Sequence, residues 1–109
     1  MVAPADIQAY AGEIARRFRP QKILLFGSHA NGTAGPDSDV DLLVVMPHEG
    51  TAVAKATEIR CAIDNDFPLD LLVRNSKTLH WRIQNNDWFL KDIVEKGIVL
   101  YEAADARVA

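Results

Sequence analysis

The chain has 109 residues, of which 49% are hydrophobic and 25% charged, enough for one core and too few for two. Its formal net charge of -3 argues against a strong grip by this chain alone on the phosphates of long nucleic acid. The single cysteine, Cys61, rules out an intrachain disulfide and fits a reducing cytoplasm; no apolar run reaches the length of a membrane span, and the N-terminus lacks a signal-peptide pattern.

Residues 4 to 18 predict an amphipathic helix, because Pro4 suits a first helical position and Ile7, Tyr10, Ala11, Ile14 and Phe18 recur at helical spacing. Arg16, Arg17 and Arg19 complement the negative end of its dipole, and Pro20 stops it. Residues 22 to 26 (K-I-L-L-F) read as a short apolar strand running into Gly27-Ser28, followed by a loop rich in Gly, Asn, Pro, Asp and Ser up to Asp39. Residues 40 to 46 form a second strand, apolar except for Asp41. A helix over 51 to 64 carries Ala52, Ala56, Ile59 and Ile63 on one stripe. Residues 69 to 73 form a third strand, apolar but for Asp70. Short helices are expected around 76 to 84 and 87 to 96, then Gly97 as a C-cap, a last strand over 98 to 101, and a tail that frays after about residue 103. With no repeat and no linker, residues 1 to 109 read as one domain. Near-continuous apolar strands alternating with helices indicate an α/β (α+β) fold with a sheet covered on at least one face.

Two of those strands hold an aspartate inside an apolar run, where aspartate is disfavoured and costly to bury unpaired. Such a conflict between pattern and residue choice is where a functional site is expected. Asp39 and Asp41, two residues apart, point to the same face of a sheet. Two carboxylates so close repel, and a divalent cation is the simplest remedy; magnesium takes one or two carboxylates plus the phosphates of its substrate. Asp70 on a neighbouring strand could complete a site for two metals about 4 Å apart. The plainer reading makes Asp37-Ser38-Asp39 a turn and Asp41 a solvated strand residue, but it must explain Asp41 and Asp70 separately. Gly27 after the first strand allows close approach to a phosphate, and Ser28 offers a hydroxyl and an N–H at the start of a short helix. A serine N-cap beside a turn glycine is the plainer account of that pair.

The run Gly27 to Asp41, G-S-H-A-N-G-T-A-G-P-D-S-D-V-D, resembles the signature of the DNA polymerase β-type nucleotidyltransferase superfamily. It is most similar to the minimal nucleotidyltransferases, with a typical G-S-R-A-R-G followed by D-S-D-x-D. The likeness extends to L-D-L-L-V at Asp70 and to an ending similar to G-x-V-L-Y-E over Gly97 to Glu102. It implies a polymerase β-like fold, a small mixed sheet with helices packed on it. It also implies magnesium-dependent transfer of a nucleoside monophosphate from ATP or another triphosphate, with release of pyrophosphate. Carried onto this sequence, Gly27 and Ser28 would hold the β- and γ-phosphates, Asp39 and Asp41 the metals, and Asp70 the second metal and the acceptor hydroxyl. The sequence departs from the pattern at His29 and Asn31, where close relatives carry basic residues; His29 is either a pH-sensitive contact to the triphosphate or an exposed loop histidine.

The remaining candidates have plainer readings. His48 is expected to be solvated, His80 to pack on its helix, Cys61 to lie in the core, and Arg74 to sit on the surface. Trp81, Trp88 and Phe89 are expected to pack in the core rather than stack on a base. Residues 91 to 96 read as a solvated helix face. The minimal family implies a HEPN-domain toxin as partner, with the transferase as antitoxin adenylylating a toxin tyrosine, alone or in a homo- or hetero-oligomer. Weighed against this are an aminoglycoside-type small-molecule transferase, a non-catalytic partner-binding module, and a nucleic-acid end transferase, the last disfavoured by charge.

Overall fold

Helix boundaries follow local chemistry at most termini of the chain. The computed structural model describes residues 1–104, so most of the tail expected to fray lies outside the described residues. Helix α1 spans Pro4–Phe18, with proline in its first turn and Arg19 ending it in a left-handed conformation (φ 50°) while its amide donates to Ala15 O. Strand β1 spans Lys22–Phe26, and the one-turn helix α2 spans Ser28–Asn31. Strand β2 spans Val40–Val45, and Met46 N continues the ladder by donating to Arg74 O at 3.0 Å. Helix α3 (Ala52–Ala62) is capped by the Thr51 side chain, which accepts from Ala54 N. Strand β3 (Leu69–Arg74) leads to helix α4 (Ser76–Gln84), capped by Asn75, and helix α5 (Trp88–Lys96), capped by Asp87. Strand β4 spans Ile98–Glu102.

The four strands form one mixed sheet of order β3-β2-β1-β4. Strand β1 pairs antiparallel with both β2 and β4, while β2 and β3 run parallel, joined by the α3 crossover. Side chains alternate across the sheet. Ile23, Leu42, Val44 and Val73 pack against Ile7, Ile14 and Ile59 of α1 and α3. On the opposite face Leu24, Leu43 and Val45 pack against Leu79, Leu90 and Ile93 of α4 and α5. Both faces are covered, which explains why strands of this length read as nearly unbroken apolar runs.

Five expectations about individual side chains are corrected. Cys61 is exposed, because it follows the buried Ile59 by two residues and so lies about 200° around the helix. The same offset from buried Leu79 turns Trp81 outward, and Trp88 stands two residues before buried Leu90; the two tryptophans are 63% and 73% exposed. Phe89 is 57% exposed, and His80 lies on the surface rather than packing on its helix. Helices α4 and α5 have only nine residues each, and among the described residues their fully buried positions are Leu79, Leu90 and Ile93. Gly97 does occupy the C-cap position of α5, but with φ -68° rather than a left-handed backbone. Glycine is needed there for proximity: a Cβ would overlap Ile93 O and lie 3.1 Å from Leu25 O.

Candidate active site

The strand register brings the two strand aspartates together. Asp41 and Asp70 stand directly opposite each other across the parallel β2–β3 pair, and Asp41 is flanked on its other side by Phe26, the last residue of β1. Alternation puts both carboxylates on the face covered by α4 and α5, one step beyond Leu43 and Leu72. At this end the sheet and α5 leave a cleft of about 330 Å³ between them. Gly27, Asp41 and Asp70 line it from the sheet side, and Phe89, Asp92 and Lys96 line it from α5.

Gly27 holds the chain tight against this carboxylate. Its φ of 73° is a backbone conformation that suits glycine, and a Cβ there would overlap Asp41 Oδ2. Ser28, half-buried, opens α2 immediately afterwards, and Gly32 closes that turn by donating to Ser28 O. Asp39 is exposed in the loop just before β2. Its backbone carbonyl lies 3.0 Å from His29 Nδ1, while His29 Nε2 lies 3.2 Å from Val2 N. An amide can only donate, so Nε2 is the acceptor and Nδ1–H donates to Asp39 O, the neutral tautomer of the ring. His29 therefore ties the N-terminus to the backbone of Asp39. Of the six residues singled out from the sequence, Gly27, Asp41 and Asp70 line the cleft, whereas Ser28, His29 and Asp39 stand beside it.

Burial of the Asp41 carboxyl pushes its pKa above the ordinary aspartate value, and the charges of Asp70 and then Asp39 push it further the same way; a proton on His29 acts in opposition. The site thus concentrates negative charge around a partly desolvated carboxylate. Among the described residues no set of three or more His, Cys, Asp or Glu side chains gathers into a cage for a metal. Hard carboxylate oxygens that repel one another, set in an open cleft, fit magnesium, which completes its coordination with water and substrate phosphates rather than with a protein cage.

A family model described as "nucleotidyltransferase domain" matches residues 7–101. The chain belongs to that family. It is similar in structure to a protein from Sulfolobus solfataricus assigned as a nucleotidyltransferase, with a TM-score of 0.62 and 17% identity over 90% of this chain and 78% of that one. It is also similar to a toxin-antitoxin structure with AMP-PNP (TM-score 0.60, 22% identity, 93% and 78% covered). A third likeness is to the toxin-antitoxin MntA-HpeT in a mutant form with two aspartate-to-glutamate changes (TM-score 0.56, 18% identity, 93% and 78% covered). At these identities the likenesses establish the fold. No curated protein matches the chain significantly.

The cleft of this nucleotidyltransferase domain includes residues that sequence reasoning passed over. Asp92 and Lys96, paired at 3.0 Å, were expected on a solvated helix face, yet both line the cleft. Phe89 lines it too, and packs edge-on against Phe26 at 5.8 Å between ring centres. Spacing along α5 cannot reveal this, because it depends on β4 returning beside β1 and drawing the end of α5 onto the Gly27 turn. The one available signal is Gly97, whose place between a charged helix and an apolar strand marks a close approach of backbone.

Proposed function

We propose that this nucleotidyltransferase domain transfers AMP from ATP to a hydroxyl of a partner protein, a tyrosine of a HEPN-type toxin in a toxin-antitoxin pair. The observation that carries the reading is the opposition of Asp41 and Asp70 over the Gly27 turn, in a cleft open to solvent. Asp39, Asp41 and Asp70 would hold two magnesium ions. When bound, magnesium neutralises triphosphate charge and lowers the pKa of the attacking hydroxyl. Gly27 lets the backbone approach the β- and γ-phosphates, Ser28 offers them its hydroxyl and N–H, and His29 positions Asp39 through its carbonyl. The acceptor oxygen bonds to the α-phosphorus, Asp70 assists departure of its proton, the bond to the bridging β-oxygen breaks, and pyrophosphate leaves.

Two further observations support a protein acceptor. The large aromatics Trp88 and Phe89 in the first turn of the cleft-lining α5, and Trp81 on α4, are exposed, and aromatic residues are enriched at protein contact surfaces. Two structural neighbours are toxin-antitoxin assemblies, one of them with AMP-PNP. No helix of the described residues is long and apolar enough to cross a membrane, and the single cysteine suits a reducing cytoplasm.

The test is incubation with magnesium, a lysate of the source cells, and ATP labelled at the α or the γ phosphate, with Asp39→Asn alongside. Label on a protein band from α-labelled ATP only, absent with Asp39→Asn, is the expected result. Label on a small molecule would replace the protein acceptor by a small-molecule one. Partner binding without any transfer would leave a non-catalytic binding module.

A further inference from the structure

A cleft that accepts a triphosphate needs positive charge opposite the phosphates, and the loop after Gly27 supplies little. Asn31 is neutral, and both ring nitrogens of His29 are already engaged, one by Val2 N–H and the other by the Asp39 carbonyl. Three carboxylates, Asp41, Asp70 and Asp92, face the same space. Among the described residues lining the cleft, one is a cation: Lys96.

The fold brings Lys96 to the phosphate turn. Leu25 of β1 is opposite Ile98, the first residue of β4, so the end of α5 just before that strand meets the Gly27 turn just after β1, and Gly27 and Lys96 line the same cleft. Gly97 keeps this approach close, since a Cβ there would overlap Ile93 O and press on Leu25 O at 3.1 Å. Lys96 ends α5, where the helix carries its negative pole, and its ammonium offsets a field that would otherwise repel an anion. Its Nζ is held 3.0 Å from Asp92 Oδ1, with both side chains well exposed (72% and 60%). An exposed pair of this kind is weak and exchanges readily for a multiply charged ligand.

We propose that Lys96 is the cation of the cleft that binds the β- and γ-phosphates of the nucleotide, with Asp92 holding its ammonium at the cleft until the triphosphate displaces it. The proposal rests on the nucleotide-transfer reading of the same cleft. It assigns to the last turn of α5 the positive charge missing from positions 29 and 31.

The experiment is calorimetric titration of the full chain with ATP and with AMP in magnesium buffer, for wild type, Lys96→Ala, Lys96→Arg and Asp92→Asn. Circular dichroism confirms that each variant folds. Lys96→Ala is expected to weaken ATP binding about tenfold, the loss of one charge-assisted contact, while AMP binding changes by less than about twofold. Lys96→Arg retains most of the ATP affinity, and Asp92→Asn raises it by freeing the ammonium. Equal ATP affinity in wild type and Lys96→Ala, or an equal loss for ATP and AMP, overturns the assignment. A wild type that binds ATP with Lys96→Ala unchanged removes only this inference; a wild type that binds no ATP removes the transfer reading and this one with it.

Discussion

Asp41 is where the chain accepts an unfavourable local arrangement. Its pKa is raised by burial first and then by Asp70 and Asp39, so its ionised form weakens the fold. That penalty is absent below the carboxylate range of the unfolded chain and grows as pH rises through the elevated folded value. Without divalent metal, Asp41→Asn should therefore melt at a higher temperature than wild type at pH 7, and the advantage should vanish as the pH falls below the ordinary aspartate range. Thermal melts across that range measure it; a mutant less stable than wild type at pH 7 would show that Asp41 already has a compensating partner. The same substitution should lower nucleotidyl transfer by at least about 100-fold, beyond the loss typical of an outer-shell metal partner. Gly27 faces two demands at once, a positive φ and no Cβ beneath the Asp41 carboxylate. Gly27→Ala should cost about 1–2 kcal/mol from backbone strain alone, with a further cost from the displaced carboxylate, readable by denaturant titration. Presence of both residue types at the right spacing was legible in the sequence; the contact between them was not, because neighbours 14 positions apart in the chain meet only through the β1–β2 pairing.

Among the elements, α5 forms one wall of the cleft, held to the sheet by Leu90 and Ile93 and capped at its first turn by Asp87. Asp87 accepts from Leu90 N at 3.0 Å and lies 3.4 Å from Arg82 Nη1. The Leu90 amide first, and the Arg82 guanidinium after it, hold its pKa below the ordinary aspartate value. A depressed folded pKa contributes stability above the unfolded value and loses it as pH falls through the folded one. Asp87→Ala should accordingly be less stable than wild type at neutral pH and converge with it in acid, with faster amide exchange confined to the first turn of α5 at neutral pH. Helix starts were legible in the sequence from apolar spacing and breakers, and in the structure Thr51, Asn75 and Asp87 fix three of them as short polar caps acting within three residues. Which way each helix faces was read less well. The outward turn of Trp81 and Trp88 predicts that acrylamide quenches tryptophan emission of the folded chain nearly as well as that of the unfolded one; strong protection on folding would place those rings under a cover.

For the whole molecule, stability rests on a sheet packed from both sides, with β2 inside it. Leu42 is fully buried between β1, β3 and the α1–α3 layer, and Leu42→Ala should cost about 2–5 kcal/mol in denaturant titration, the range for a large core side chain cut to alanine. The alternation that buries Leu42 on one face sends Asp41 to the other, so core and site are set by the same register.

Element positions were determined by the sequence, because helical spacing, apolar strand runs and breakers such as Pro20 act over a few residues. The D-x-D spacing was legible too, but Asp39 stays exposed in the loop before β2 and only Asp41 of the pair lines the cleft. Tertiary structure alone decided the strand order, and with it the facing of Asp41 by Asp70 and the arrival of Lys96 and Asp92 at the Gly27 turn. Those contacts join residues separated by tens of positions. Their choice depends on which strand edge the returning chain finds and how α5 packs onto it, and no local pattern encodes that.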